Sequence, residues 1–218
     1  MNRKNKKISM VQMLLTILYI TSYMIANVIT SKQVQLPFGI VMTGAVLIFP
    51  ITYVISDMIS EIYGYRWSRI TCYLAFGANI YMVALFMSAM AMPSPSYWTN
   101  QAAFETVLGS TPRILAASFT AFLIGGLIND KIFKKFKDKH ADDKGFSFRA
   151  ILSTLMGELA DSFIFLPLAF WGQMPGKTLL IMTITQVVIK TGYEVVVLPL
   201  TKWLIKKINN YEARYLSV

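Results

Sequence analysis

The sequence predicts an all-α membrane bundle of six transmembrane helices with both termini in the cytoplasm. Three observations carry that prediction. Only 15% of the 218 residues are charged while 55% are hydrophobic, with a mean hydropathy of +0.52, whereas soluble domains carry roughly 25% charge. Several apolar runs approach or exceed the roughly 20 residues needed to cross a hydrocarbon core. Finally, charge sorts by side. With six crossings, 17 of the 21 lysines and arginines lie on the side of the termini, and three (Lys32, Arg113 and Lys177) lie on the other. An excess of Lys and Arg marks the cytoplasmic side, and five or seven crossings would scramble the asymmetry.

The net charge of +10 is therefore a matter of topology and membrane lipid, and no nucleic acid is needed as a partner. The single cysteine, Cys72, excludes an intrachain disulfide. The single histidine, His140, sits in a charged loop, so no His/Cys metal cluster can be built. Neither metal nor cofactor is expected.

Residues 1–7 form a basic leader with Arg3, Lys4, Lys6 and Lys7. The apolar run that follows is long and lacks an A-x-A-like cleavage site, so it reads as a first span (8–30) and not as a signal peptide. It carries Asn27 near its far end, with Lys32 just beyond as an interface anchor. Residues 39–62 form the second span, interrupted by Pro50 and bearing Asp57 and Glu61. A polar turn with Gly64 and Arg66 leads to the third span (68–92), whose main polar note, Asn79, suggests packing.

The next loop turns at Pro93 and Pro95 and offers Tyr97 and Trp98 to a membrane interface. Asn100 could cap a short helix ending before Gly109, with Phe104, Val107 and Leu108 on one face. The fourth span (112–130) contains Ala116, Ala117, Ser118, Gly125 and Gly126, small residues that let helix backbones approach. A basic loop precedes the fifth span (148–171). The sixth (178–205) carries Lys190, Glu194 and Pro199, and residues 206–218 read as a polar, basic tail. Pro50, Pro167 and Pro199 are expected to kink their helices. Residues 8–205 thus make one transmembrane domain.

Charges within the spans point to a binding site. A carboxylate at the bilayer centre costs about 2.5–3.5 kcal/mol even on insertion-derived scales. Glu158 and Asp161 are spaced i, i+3, so they sit about 60° apart on one face of their helix. Asp57 with Glu61, and Lys190 with Glu194, mark single faces in the same way. Three polar stripes are expected to meet in a shared cavity. Even without Glu61, four carboxylates (Asp57, Glu158, Asp161 and Glu194) face one ammonium, Lys190. Its partner is expected on span five, because the Lys-before-Glu order makes the in-helix pair with Glu194 weak. A structural ion-pair network competes with this reading, yet it would not leave acid in excess. Surplus acceptors suit a ligand with donors: a cation, a proton, or a heterocycle with amide and amino N–H groups. Tyr53, Tyr193, Phe170 and Trp171 could offer ring faces for stacking. Asn27 reads equally as a ligand or as an interhelical hydrogen bond.

Four blocks carry a resemblance: FPITYVISDMISEIYG (49–64), PRILAASFTAF (112–122), STLMGELADSFIFLPLAFWG (153–172) and IKTGYEVVVLPLT (189–201). In order and spacing they resemble the queuosine-precursor transporter family, also known as the YhhQ family of vitamin uptake transporters. The resemblance implies a six-helix protein of the cell (inner) membrane, not an enzyme, that imports a purine-like 7-deazaguanine base for tRNA modification. The base would be the cyano or aminomethyl derivative, or queuine. It would offer N–H donors to Glu158 or Asp161 and a carbonyl to Lys190 or Asn27. The alternative is the substrate-binding subunit of a vitamin importer. That version needs partner ATPases, because the chain has no G-x-x-x-x-G-K-[ST] phosphate loop. The small-residue faces leave room for a homodimer.

Overall fold

The computed structural model describes residues 8–139 and 146–215, with side chains at all of these except 38, 126, 129–139, 146–155, 158, 194, 214 and 215. Among the described residues the chain forms seven α-helices and one hairpin. In order these are α1 (Met10–Ile29), β1 (Gln33–Gln35), β2 (Val41–Thr43), α2 (Phe49–Tyr63), α3 (Tyr65–Ala91), α4 (Gln101–Leu108), α5 (Thr111–Lys139), α6 (Phe146–Phe170) and α7 (Gly176–Tyr215). The architecture is a helical bundle, and four helical stretches among the described residues are long and apolar enough to cross a membrane. The leader at 1–7, His140 and residues 216–218 lie outside the described residues.

Ser9 starts α1 at the join between the basic leader and the apolar run, its hydroxyl accepting from the Gln12 N–H at 3.0 Å. This satisfies one of the donors that a helix start leaves unpaired. The short helix expected after Asn100 is present as α4, ending at Gly109. Asn100 occupies the cap position without a side-chain capping bond, and no residue of α4 is buried.

The second span, expected as a helix over 39–62 interrupted at Pro50, is helical only in its second part. Its start is strand β2, which forms an antiparallel hairpin with β1 from the preceding connection, pairing Gln33 with Thr43 and Gln35 with Val41. A 3-10 turn over Gly44–Leu47 follows, and regular helix begins only at Phe49. The cause is local chemistry. Pro37 lacks a backbone donor, and Gly39 takes a φ of 74° that other residues avoid. Pro50 falls in the first turn of α2, where its missing N–H has no partner to lose. It opens that helix instead of kinking it, whereas Pro167 and Pro199 do lie inside α6 and α7. Non-helical backbone within a membrane bundle must be satisfied by protein. The Gly44 N–H donates to the Lys32 carbonyl at 2.7 Å. Around it Met42, Thr43 and Ala45 are fully buried.

Two helices run further than expected. Nothing between Asp130 and Lys139 is Gly or Pro, and α5 continues through that stretch. Likewise α7 does not stop near 205, and residues 206–215 are helical where a tail was expected. Leu204, Ile205 and Ile208 pack with Leu15 of α1 and with Ile55, Met58 and Ile59 of α2. One turn on from Ile208, buried Glu212 accepts from the Ser9 hydroxyl at 2.6 Å and from the Tyr63 hydroxyl at 3.1 Å. The start of α1, the end of α2 and the end of α7 are thereby clasped at one end of the bundle. At the other end Arg113, on α5, donates to the carbonyls of Leu168 and Trp171, each at 2.7 Å. These are carbonyls that the end of α6 leaves without helical partners.

The closest helix pair is α5 with α6. A Cβ built on Gly125 would stand 3.0 Å from the Gly157 carbonyl oxygen and 3.4 Å from the Asp161 Cβ. Their shared core joins Ile114, Ala117 and Ala121 to Phe165, Leu166, Ala169 and Phe170, with Leu179 and Met182 arriving from α7. Outward positions such as Leu18 on α1 and Val195 and Val196 on α7 stay apolar and exposed, as lipid-facing surfaces do.

A Cβ at Gly44 would lie 2.6 Å from the Ile29 carbonyl oxygen, whereas Gly39 has open space around it. Gly44→Val should therefore lower stability by at least about 3 kcal/mol, the top of the usual overpacking range, or prevent folding. Gly39→Ala should lose only about 1–2 kcal/mol through its backbone conformation. Thermal midpoints of the two variants in detergent check this, and equal midpoints would contradict the hairpin's close seating on α1.

Candidate functional site

A cavity of about 400 Å³ lies between α1, α2, α5, α6 and α7, within the roughly 300–1,000 Å³ typical of small-molecule sites. The residues that line it arrive at helical spacing. Asn27 comes from the last turn of α1, and Tyr53 and Ser56 from the first half of α2. Ser118 and Gly125 come from α5, Gly157 and Asp161 from α6, and Gln186 and Lys190 from α7. The two glycines matter because they bring α5 onto α6 beside Asp161.

The electrostatic centre is an ion pair. Lys190 Nζ lies 2.8 Å from Asp161 Oδ2, so the lysine meets a carboxylate on the preceding span. Lys190 is 5% exposed, while the Asp161 side chain keeps 31% of its surface open. Lys190 Nζ also sits 5.2 Å from the centroid of the Phe49 ring, close enough for a cation–π attraction. Two charges taken out of water are tolerated where each neutralises the other. The more open partner, Asp161, is the one with acceptor capacity toward the cavity.

Asn27 combines the two roles open to it from sequence. Its Nδ2 donates to Asn79 Oδ1 at 2.6 Å, and Asn79 Nδ2 donates to the Ala75 carbonyl at 2.8 Å. With its N–H so engaged, Asn27 has its carbonyl oxygen to present to the cavity it lines. Asn79, on a span expected to serve mainly packing, is the buried residue that orients Asn27.

Gln186 is a lining residue that the sequence reading passed over. It is fully buried, yet neither Nε2 nor Oε1 has a hydrogen-bond partner among the described residues. The signal was available: 186, 190 and 194 repeat at i, i+4 and i+8 and so share one helical face. Only the charged members of that series drew attention.

The remaining sequence candidates divide. Tyr53 lines the cavity, next to Phe49 with ring centroids 6.4 Å apart. Asp57 lines a small recess behind Tyr53, together with Tyr193. Phe170 and Trp171 do not reach the cavity. Phe170 is 2% exposed within the α5–α6–α7 core, edge-on to Phe165, and Trp171 is 71% exposed at the end of α6. Aromatic walls come instead from Tyr19 and Tyr23, whose rings are stacked at 6.2 Å, and from Phe49, Phe122 and Phe165. The side chains of Glu158 and Glu194 lie outside the described residues. Their backbones place them on α6 and α7, one turn from Asp161 and Lys190 respectively. Among the described residues no three His, Cys, Asp or Glu side chains gather as metal ligands. What the cavity can do chemically is hold a flat polar molecule between ring faces and pair its edge with carboxylate, ammonium and amide.

Comparison with known proteins bears on what that molecule is. A family model described as "Putative vitamin uptake transporter" matches residues 43–204, from β2 into the second half of α7. A probable queuosine precursor transporter of Bacillus subtilis (strain 168) is 26% identical over 187 residues, covering 86% of this chain and 81% of that protein. No solved structure matches significantly.

Because Asp161 and Lys190 compensate each other, Lys190→Met and Asp161→Asn should each destabilise the bundle. For Asp161→Asn the loss should be about 3–5 kcal/mol because it strands the buried ammonium, and for Lys190→Met less because Asp161 stays partly open. The double variant should recover part of that loss, with a coupling of about 0.5–3 kcal/mol. Thermal unfolding of the four proteins in detergent measures it. Simple additivity would mean that the pair contributes nothing to the fold.

Proposed function

The chain belongs to the family described as putative vitamin uptake transporters, and on that premise we propose that it imports a queuosine precursor across the cell membrane for tRNA modification. The substrate class is a 7-deazaguanine base: the cyano derivative, the aminomethyl derivative or queuine. The observation that carries this reading is the Asp161–Lys190 pair, with Asp161 open to a cavity walled by aromatic rings. A carboxylate accepts from the amino N–H groups of a guanine-like edge. The ammonium donates to its carbonyl, and flat ring faces stack on the base. The aminomethyl derivative is a cation and would find further acid nearby in Asp57. The name of the Bacillus relative supports the same class.

The same reading has six crossings, made by α1, the hairpin with α2, α3, α5, α6 and α7, with both termini in the cytoplasm. The contacts of Glu212 with Ser9 and Tyr63 support it, since they gather three helix ends on the side that carries most of the basic residues. The bonds from Arg113 to the end of α6 support the opposite placement for that turn. A 15-residue α2 spans only about 22 Å at 1.5 Å per residue. The seated hairpin supplies the rest of the crossing, as broken helices do in transporters.

The test is the queuosine content of tRNA in cells unable to make or import the precursor. Expressing this chain and feeding each deazaguanine separately should restore the modification. Asp161→Asn and Lys190→Ala should lower it at least tenfold while still reaching the membrane. No restoration with any precursor, at good membrane expression, would end the proposal.

A further inference from the structure

The transport reading makes no use of Gln186, whose side chain is the most conspicuous unpaired group in the cavity. Buried polar groups in folded proteins nearly always have partners, and here both ends of one carboxamide lack them among the described residues. The residue is fully buried and lines the cavity one helical turn before Lys190. Its burial is therefore not explained by the fold around it. An apolar side chain of similar size would pack there without leaving two unpaired atoms. The arrangement makes sense where a ligand completes the amide.

We propose that Gln186 reads the lactam edge of the transported base, its Oε1 accepting from the ring N–H and its Nε2 donating to the adjacent ring carbonyl. This rests on the transport reading above and deepens it. A carboxamide offers one acceptor and one donor side by side, and a lactam offers the complementary pair. A carboxamide alone could turn over to match an amino-substituted edge. Its neighbours remove that freedom. Lys190, on the same face of α7, can only donate and so favours a carbonyl nearby, while Asp161, its partner on α6, can only accept and so favours the amino N–H groups. Specificity follows from the mismatch, because a base without the lactam leaves the buried amide unpaired again. Sites built to hydrogen-bond a ligand group reject analogues lacking it far more strongly than apolar pockets reject a missing methylene.

The experiment uses the full-length protein in detergent and two probes. One is 7-cyano-7-deazaguanine; the other is its 6-deoxo analogue, which replaces the ring N–H and carbonyl by a bare ring nitrogen and a C–H. Wild type should bind the first at least tenfold more tightly. Gln186→Leu should lose at least tenfold in affinity for the first and bring the two probes within about threefold. Its ligand-free thermal midpoint should equal or exceed that of wild type, since a purely structural glutamine would give the opposite shift. Unchanged affinity and discrimination in Gln186→Leu, or a lowered ligand-free midpoint, would overturn the assignment and leave transport standing. Equal binding of the two probes by wild type would overturn it without recourse to any variant. A wild type that binds no deazaguanine base would overturn the transport reading, and this assignment with it.

Discussion

The bundle is organised by the cost of holding charge inside a membrane. Lys190 and Asp161 meet at 2.8 Å, and either alone in a low-dielectric interior would be strongly unfavourable. Their pairing ties α7 to α6 and leaves a polar opening on the Asp161 side. The rest of the site is arranged around that necessity. Gly125 and Gly157 let α5 close onto α6 beside the carboxylate, and Phe49 offers its ring to the ammonium. Asn79 holds Asn27 from behind, across α1 and α3. The charge pair joins two of the five helices around the cavity, and the close approach of α5 and the ring of Phe49 complete its surroundings.

A second constraint comes from the backbone. Within the membrane bundle every N–H and C=O needs a partner, so an interrupted helix is possible only where protein surrounds the interruption. The hairpin before α2 meets this condition. Met42 and Thr43 of β2 and the turn residues Gly44, Ala45 and Val46 are buried, the Gly44 N–H bonds to the Lys32 carbonyl just past the end of α1, and the missing Cβ at Gly44 is what lets the two backbones approach. The interruption also sets where α2 begins. Phe49, Thr52 and Tyr53 fall in its first turns and line the cavity, so the broken span and the site are parts of one design.

The far end of the molecule is held differently. Glu212 accepts hydrogen bonds from Ser9 and Tyr63, above the apolar contact of α7 with α1 and α2. The bonds join residues more than 200 and nearly 150 positions apart in the chain. Polar bonds over an apolar seam fix which ends come together, whereas hydrophobic packing alone tolerates sliding. Movement of α7 relative to α1 and α2 during transport would have to release this clasp.

Much was readable without coordinates, because the physics involved is local or additive. Apolar runs of sufficient length, proline and glycine at element edges, and lysine and arginine sorted by side all follow from transfer energies that each residue contributes by itself. The stripes containing Asp161 and Lys190 were readable for the same reason: a charge in an apolar helix is costly wherever that helix sits. Tertiary structure alone decided the rest. Phe170 closes the helix that carries Asp161, nine residues on and about 14 Å along the axis, and Trp171 lies in the turn just after it, so they belong to a core and to an end of the bundle. Gln186 carries no charge; its place on the Lys190 face was readable, but its lack of a partner among the described residues shows only in the packed structure. The half-helical second span depends on α1 and α7 covering its backbone, and the ordered end of α7 depends on Ser9 and Tyr63 receiving it. By itself the sequence determined which segments must leave water and which charges must be met there. Which groups meet them depends on contacts between residues far apart in the chain, and those exist only once the helices have packed.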